Sequence, residues 1–444
     1  MSQPPIRPTE PDAKSEISGL LYLLSIAALS GSLTGIAGGL FHRLLESVHE
    51  AHAQLLLFWH SQADSLPLPG WLLAAAFGAA CLALARWLVR FSPTAGGSGI
   101  QQVEAVMHGD AQPSPPSALP VKFIGGLLAM APGSALGREG PTVHMASIIG
   151  NTCGHLARLS RKDRFLLYTA VAGTGLSVAF NAPLAGIAFV LEEVVRTVTL
   201  RRLLVCMTAI SFGTMTLWAT FGNIPAFQVT MAPPDDLATL LLLTLVGALM
   251  GALGAAYNRS IIFSMNTLDR FSMIPAEARA ALIGVFVGLT GWFYLEALGG
   301  GEAQVQQLLS GNILMPFSAL ILFATRWVMG PMCYATGVPG GIFSPLLLIG
   351  ALAGALLWQL ITMASGIHLE MTSFVLIGMA AFFASVVRAP FTGILLITEM
   401  TASTAHMVPL LTGSIAAVVV ATLLRNPPIY DELRNRTLTA SKHV

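Results

Sequence analysis

Residues 181–193 read NAPLAGIAFVLEE, and residues 388–400 read RAPFTGILLITEM. Five positions coincide: Ala182 with Ala389, Pro183 with Pro390, Gly186 with Gly393, Ile187 with Ile394 and Glu192 with Glu399. The two stretches lie 207 residues apart. A second pair sits upstream in each half, GREGP at 137–141 and GIFSP at 341–345, at an offset of 204. Two collinear pairs at nearly one offset indicate an internal duplication.

The charge around the two copies differs. The run 165–195 has Arg158, Arg161, Lys162 and Arg164 before it and Arg196, Arg201 and Arg202 after it. The run 371–400 has Glu370 before it and only His406 shortly after it, and Arg388 is the sole Lys or Arg between Arg326 and Arg425. Lys and Arg collect on the cytoplasmic side of a membrane. The ends of the first copy are therefore expected at the cytoplasm and those of the second outside. Duplications of this inverted kind place the substrate at the repeat interface, near mid-membrane.

Composition agrees with a membrane chain. Of 444 residues, 54% are hydrophobic and 10% charged, against about 25% charged in soluble domains. This excludes a soluble enzyme, a disordered chain and a coiled coil. A net charge of +1 offers no clustered basic face for nucleic acid. Apolar runs fall near 18–41, 70–89, 121–133, 165–191, 203–221, 237–256, 280–298, 315–330, 345–364, 371–386, 391–401 and 407–424. They read as helices, since barrel strands would be about ten residues long and alternate. Gly and Pro break the chain at 96–99, 132–141, 181–186, 337–345 and 388–393. Irregular backbone survives at membrane depth only where protein or a wet cavity surrounds it.

The expected fold is thus an all-α polytopic membrane protein of two inverted-topology repeats with many tilted, broken and part-spanning helices. Its organisation reads as a cytoplasmic arm at 1–17, a first repeat at 18–222, a second at 223–425 and a short cytoplasmic segment at 426–444. GxxxG spacings at Gly31/Gly35, Gly247/Gly251, Gly284/Gly288 and Gly350/Gly354 read as close helix packing. Trp59, Trp71, Trp292 and Tyr294 suit interfacial anchoring. Cys81, Cys153, Cys206 and Cys333 form no CxxC and predict neither a disulfide framework nor a zinc site. No cofactor is expected.

The interrupted segments Gly97-Ser98-Gly99-Ile100, Gly137-Arg138-Glu139-Gly140-Pro141 and Gly341-Ile342-Phe343-Ser344-Pro345, in this order and spacing, resemble the chloride channel and chloride–proton exchanger (CLC) family. Tyr430, just after the last apolar run, agrees, and the resemblance spans roughly residues 18 to 435. One position departs: the family usually has Pro after Gly-Ser-Gly-Ile, and here stands Gln101, which lacks the fixed φ suited to a helix start.

Gly-rich turns that open helices aim unpaired N–H groups at a point, and each helix N-terminus acts as about half a positive charge. Several such ends bind an anion without a full cation, which would hold it too tightly for release. The resemblance implies that Ser98 donates its hydroxyl, Ile342 and Phe343 their backbone N–H, and Tyr430 its phenol. A plain N-cap role is the bland alternative for Ser98.

Glu139 is the most informative residue. A carboxylate within a membrane segment costs about 2.5–3.5 kcal/mol on insertion scales. Ionised, it mimics the anion; protonated, it loses that attraction and swings away. One side chain then serves as gate and proton carrier. A salt bridge with Arg138 is the competing reading. Glu193 is the expected internal proton relay, since the resemblance implies that exchangers keep a carboxylate there, with an ion pair to Arg196 as its alternative. Glu399 reads as structural, and His144 as a packing or hydrogen-bonding residue.

The resemblance implies a secondary-active exchanger of chloride for protons. It also implies a homodimer. The expected location is a bacterial inner membrane, surrounded by lipid, with both termini cytoplasmic. A passive channel of the same fold is the first alternative. A fluoride-preferring exchanger fits less well, since that branch usually has Asn in place of Ser98 and Met in place of Arg138. From a different class, an intramembrane serine protease would read Gly96-Gly97-Ser98-Gly99 as a nucleophile motif with His144 as its base.

Overall fold

The computed structural model describes residues 13–62, 68–195, 199–223, 226–227, 229, 236–366 and 369–441. Every regular element among them is helical. Eight helices form the first half: α1 Ala13–Ser61, α2 Gly70–Leu88, α3 Ile100–Met107, α4 Ala118–Met130, α5 Glu139–Leu156, α6 Arg161–Phe180, α7 Pro183–Phe189 and α8 Leu200–Phe221. Eight form the second: α9 Leu237–Arg270, α10 Ala276–Phe293, α11 Glu302–Leu309, α12 Pro316–Ala335, α13 Phe343–Ser365, α14 Met371–Val387, α15 Pro390–Met400 and α16 Met407–Leu423. A last helix, α17, spans Ile429–Ser441. Residues 1–12 of the expected N-terminal arm lie outside the described residues, and Ala13–Ile17 are the first turns of α1.

Seven of the described helices are long and apolar enough to cross a membrane, and four more are apolar but shorter. The chain is an integral membrane protein. Helix α1 outruns its apolar stretch: its 49 residues extend about 74 Å, well past a hydrocarbon core of about 30 Å.

Packing repeats between the halves. Helix α1 lies on α8 and α5 on α6; in the second half α9 lies on α16 and α13 on α14. Three pairs meet across the divide: α2 with α10, α5 with α13, and α7 with α15. The last pair runs antiparallel, because the Glu399 carboxylate at the end of α15 accepts from Leu184 and Ala185 N–H at the start of α7. Reciprocally, Glu192, just past α7, accepts from Phe391 and Thr392 N–H at the start of α15. An antiparallel pairing of like elements is what an inverted repeat requires.

All four GxxxG pairs face a neighbouring helix of the same chain. Gly31 and Gly35 seat against Ala209 and Gly213 of α8, and Gly247 and Gly251 against Gly413 and Ala417 of α16. Gly284 and Gly288 meet Gly78 and Ala74 of α2, and Gly350 and Gly354 meet Gly378 and Phe374 of α14. A methyl at any of these glycines would lie within 2.5 Å of a backbone oxygen across the contact. Without water to drive association, such backbone approach is how membrane helices gain dispersion contact.

Candidate functional site

The broken segments converge on the line relating the halves. Gly137 N–H donates to Gly341 O at 2.8 Å and Gly341 N–H returns to Gly137 O at 2.7 Å. This antiparallel bridge joins equivalent glycines of the two repeats. Beside it Gly340 N–H donates to Gly97 O at 3.1 Å. Lys122 of α4, wholly buried, donates to Ala95 O at 3.0 Å and Gly97 O at 2.7 Å, so its amine fixes the loop from behind. Gly99 ends that loop at φ 95°, against the His144 side chain. Its counterpart Gly301 opens α11 at φ 102° against Leu348. Both glycines are in the left-handed region and both are crowded, so neither tolerates a Cβ.

Three helix starts therefore face one buried chamber: those of α3, α5 and α13. Ile342 is the N-cap of α13 and Phe343 its first residue. Their N–H groups have no intrahelical acceptor at such a terminus. Ser98 is fully buried beside Gly140, and Gly140 has no room for a methyl because the Ser98 hydroxyl fills that space. Tyr430 is fully buried, packs on Phe343 with ring centroids 5.9 Å apart, and faces Ser98. Tyr334 of α12 completes the group. None of these three hydroxyls has a hydrogen-bond partner. Gly99, not Ser98, occupies the N-cap position of α3, and its cap uses no side chain of its own; the plain capping role for Ser98 is thus corrected. A chamber rich in unsatisfied donors is built for a negative charge.

Glu139 occupies the edge of that chamber. Its side chain is wholly buried and lies against Gly137, and Oε1 accepts the Ser344 N–H, one residue along α13 from Phe343. The carboxylate thus sits on the N-terminus of the other repeat's helix, where an anion would sit. The Arg138–Glu139 ion pair expected as the alternative does not form. Arg138 pairs instead with Glu302 at 3.2 Å and donates to Ala179 O at 3.0 Å. Glu302 had no place in the sequence reading; it opens α11, and this contact leaves Glu139 without a cationic partner. A cavity of about 290 Å³ lined by Gly137, Arg138, Glu302 and Ser344, with Glu46 and His49 of α1, lies beside this point.

Gln101, where the family has Pro, acts on the same chamber. Its Oε1 accepts the Gly99 N–H at 3.1 Å, folding back over the start of α3. Its Nε2 lies beside Gly97, on the side of the loop that faces Tyr334. The amide oxygen thus closes the helix start by accepting from the N-cap N–H, as a capping-box residue does. Replacing Gln101 by Pro should fit the first turn of α3 but delete the backbone donor at 101 and the amide. The lost amide bond joins two neutral groups and is worth about 1 kcal/mol, so as the start of α3 loosens chloride binding should weaken about fivefold, with little loss of thermal stability. Calorimetric titration of purified protein with chloride measures this; an unchanged affinity would remove Gln101 from the site.

On the basic face the chain past α7 forms a π-helical turn over Val190–Val195. π-turns often mark functional positions because the extra residue redirects side chains. Here two adjacent glutamates part company. Glu192 binds Phe391 N–H at 3.0 Å, Thr392 N–H at 2.7 Å and the Thr392 hydroxyl at 2.8 Å. Glu193 turns inward, is 2% exposed, and lies against Glu104 of α3, itself 1% exposed. Its proposed partner Arg196 lies outside the described residues. Glu104 escaped the sequence reading, since Gln-Gln-Val-Glu looks like a solvated turn; only its spacing from Ser98 on one short helix could have suggested it. Glu399, read as structural, caps α7 as described above. Removing the Glu192 anchor by Glu192→Ala should therefore cost about 2 kcal/mol or more in stability. It should also slow proton transport more than chloride transport, because Glu193 rides on the same turn. Equal slowing of both fluxes would show a purely structural cap.

His144 bonds Ser114 through Nε2 at 2.9 Å and packs on Gly99. It serves as a hydrogen-bonding residue, and with that nitrogen committed to Ser114 it gives the protease reading no support. No cluster of metal-binding side chains is present among the described residues.

Two inverted repeats whose broken helices meet around a buried, donor-lined chamber define a membrane protein that passes small anions. The chain belongs to the voltage gated chloride channel family, the CLC family, which it matches over residues 80–422. It is 36% identical over 433 residues to the H(+)/Cl(-) exchange transporter ClcA of Vibrio parahaemolyticus serotype O3:K6, covering 95% of this chain and 91% of that protein. It is 35% identical over 430 residues to ClcA of Vibrio cholerae serotype O1 (strain M66-2), covering 95% and 90%. Its structure is similar to the crystal structure of a slow cyanobacterial Cl-/H+ antiporter, with TM-score 0.87, 31% identity, and coverage of 94% of this chain and 98% of that one.

Proposed function

We propose that this protein exchanges chloride for protons across a bacterial inner membrane as a secondary-active antiporter. The observation that carries the reading is Glu139, a wholly buried carboxylate resting on the Ser344 N–H at the start of α13. In its ionised form it fills the outermost place in the chamber. Taking up a proton removes its attraction for the helix N-terminus and lets it leave, so that chloride enters as a proton is loaded. Ser98, Tyr430 and the N–H groups of Ile342 and Phe343 hold the anion, with Tyr334 as an additional donor. Glu193, beside Glu104, passes the proton to the basic face.

In this reading the basic face is cytoplasmic, by the distribution of Lys and Arg, and both termini lie there. The halves divide near residue 222, with α1–α8 in the first repeat and α9–α16 in the second. The protein works as a homodimer in lipid, each subunit carrying its own pathway, as family membership suggests.

The test is purified protein in liposomes with a chloride gradient and no proton gradient. Chloride moving down its gradient should drive protons uphill, seen as a pH change that an uncoupler collapses. Brisk chloride flux with no proton movement would make the protein a passive channel and overturn the proposal.

A further inference from the structure

A further polar cavity lies on the basic face, away from the chamber. It measures about 320 Å³, and its polar lining includes Gln112, Asn151, Arg161, Arg164 and Tyr168. Arg161, Arg164 and Tyr168 form one stripe along α6, at the i, i+3 and i+7 spacing that shares a helix face. The α3–α4 loop at Gly109 and Gln112 and Asn151 of α5 also border the cavity.

The chemistry of this lining is one-sided. No acidic side chain lines it; Asp163, in the same turn, is engaged by Arg201 and by Ser160. Tyr168 is fully buried, and its hydroxyl has no hydrogen-bond partner. Arg164 spends Nη1 on His155 at 3.1 Å, while its buried Nε has no partner. A buried donor left unpaired costs free energy unless something arrives to accept from it. Two guanidinium groups, two amides and a phenol ask for several oxygens on one centre, which a halide lacks. Arginine forks match that oxygen geometry.

We propose that this cavity binds a phosphate-bearing anion, with Arg161 and Arg164 neutralising its charge and Tyr168 closing the inner end. The site is distinct from the chloride chamber, and its existence does not depend on the transport reading. The shared chemistry is a phosphate oxygen cluster; the source is either free phosphate in the aqueous phase or the headgroup of an anionic phospholipid.

Nanodiscs separate the sources. In phosphatidylcholine discs at fixed ionic strength, inorganic phosphate should raise the Tm of the wild-type protein along a saturating curve. Arg161→Gln with Arg164→Gln should need more than about tenfold higher phosphate for the same shift, and Tyr168→Phe about tenfold. In a second arm without phosphate, phosphatidylglycerol discs should raise Tm above phosphatidylcholine discs by an amount the same substitutions erase. A shift in the first arm assigns the site to the free anion, and a shift in the second assigns it to the headgroup. Tyr168→Phe keeps the packing of the ring and reads the site even if the double substitution does not fold. Flat responses in both arms, or shifts that all variants share equally, overturn the proposal.

Discussion

Glu139→Gln should abolish chloride-driven proton transport and leave chloride transport running. Glutamine has nearly the size of glutamate, and its carboxamide carries no net charge. It therefore resembles the protonated gate: it has no full charge to hold it on the Ser344 N–H, and it takes up no proton at any working pH. A positioned proton-transfer group contributes about a hundredfold or more to a transfer step, so proton flux should fall by at least that factor. Chloride flux should persist and lose its pH dependence. In the wild type the sign is fixed by the same competition: lowering pH increases the neutral fraction of Glu139, frees its place beside α13, and speeds chloride. Raising pH restores the carboxylate and slows it. Liposome fluxes measured across a pH series check both statements. A Glu139→Gln protein that still pumps protons, or whose chloride flux keeps the wild-type pH slope, would show that another group gates the path. Because Arg138 is already paired with Glu302, the substitution strands no buried cation, and loss of function by misfolding is not expected.

What the sequence discloses follows from which features are local. The two Ala-Pro breaks, the two Gly-rich openings and the asymmetry of Lys and Arg are written in single short stretches, and they led to an inverted repeat with Glu139 at its centre. The antiparallel pairing of α7 with α15 and the Gly137–Gly341 bridge are the physical form of that repeat. Other features depend on contacts across the chain. Helix α5 is buried along most of its length, yet Thr, His, Ser and Asn keep it out of the apolar runs; a helix enclosed by protein has no need of a lipid-like surface. Helix α1 overran its apolar stretch because His42, Glu46 and His49 face the polar cavities on one side, where they need not be hydrophobic. Tyr334 looks like one more aromatic in an apolar helix until α12 is placed beside Ser98. Glu192 and Glu399 coincide in the repeat, but that each caps the other's helix is visible only once the halves face each other.

That same reciprocal cap bears on the second large effect. Glu139 lies next to the start of α13, and Glu192 and Glu399 lie on the starts of α15 and α7. Three glutamates thus use one device, a carboxylate on a helix N-terminus, with different holds. Glu192 has three donors and Glu399 two, whereas the Glu139 carboxylate has one from Ser344 and a second oxygen with no partner. The pair with more donors fixes the frame, and in the proposed exchange cycle the one with fewer is the one that moves. Glu193 stands beside the frame and inherits its rigidity, so its proton-carrying role should be separable from folding. Glu193→Gln should lower proton flux by about a hundredfold, keep chloride flux within a few-fold, and leave Tm near wild type, since an amide fits beside Glu104. Glu104→Gln supplies the control: it alters the neighbour of the relay, not the relay itself, and should reduce proton flux much less. Paired flux measurements in liposomes decide the matter. Full proton coupling in Glu193→Gln would move the inner end of the proton path to another group, with Glu104 the next to test.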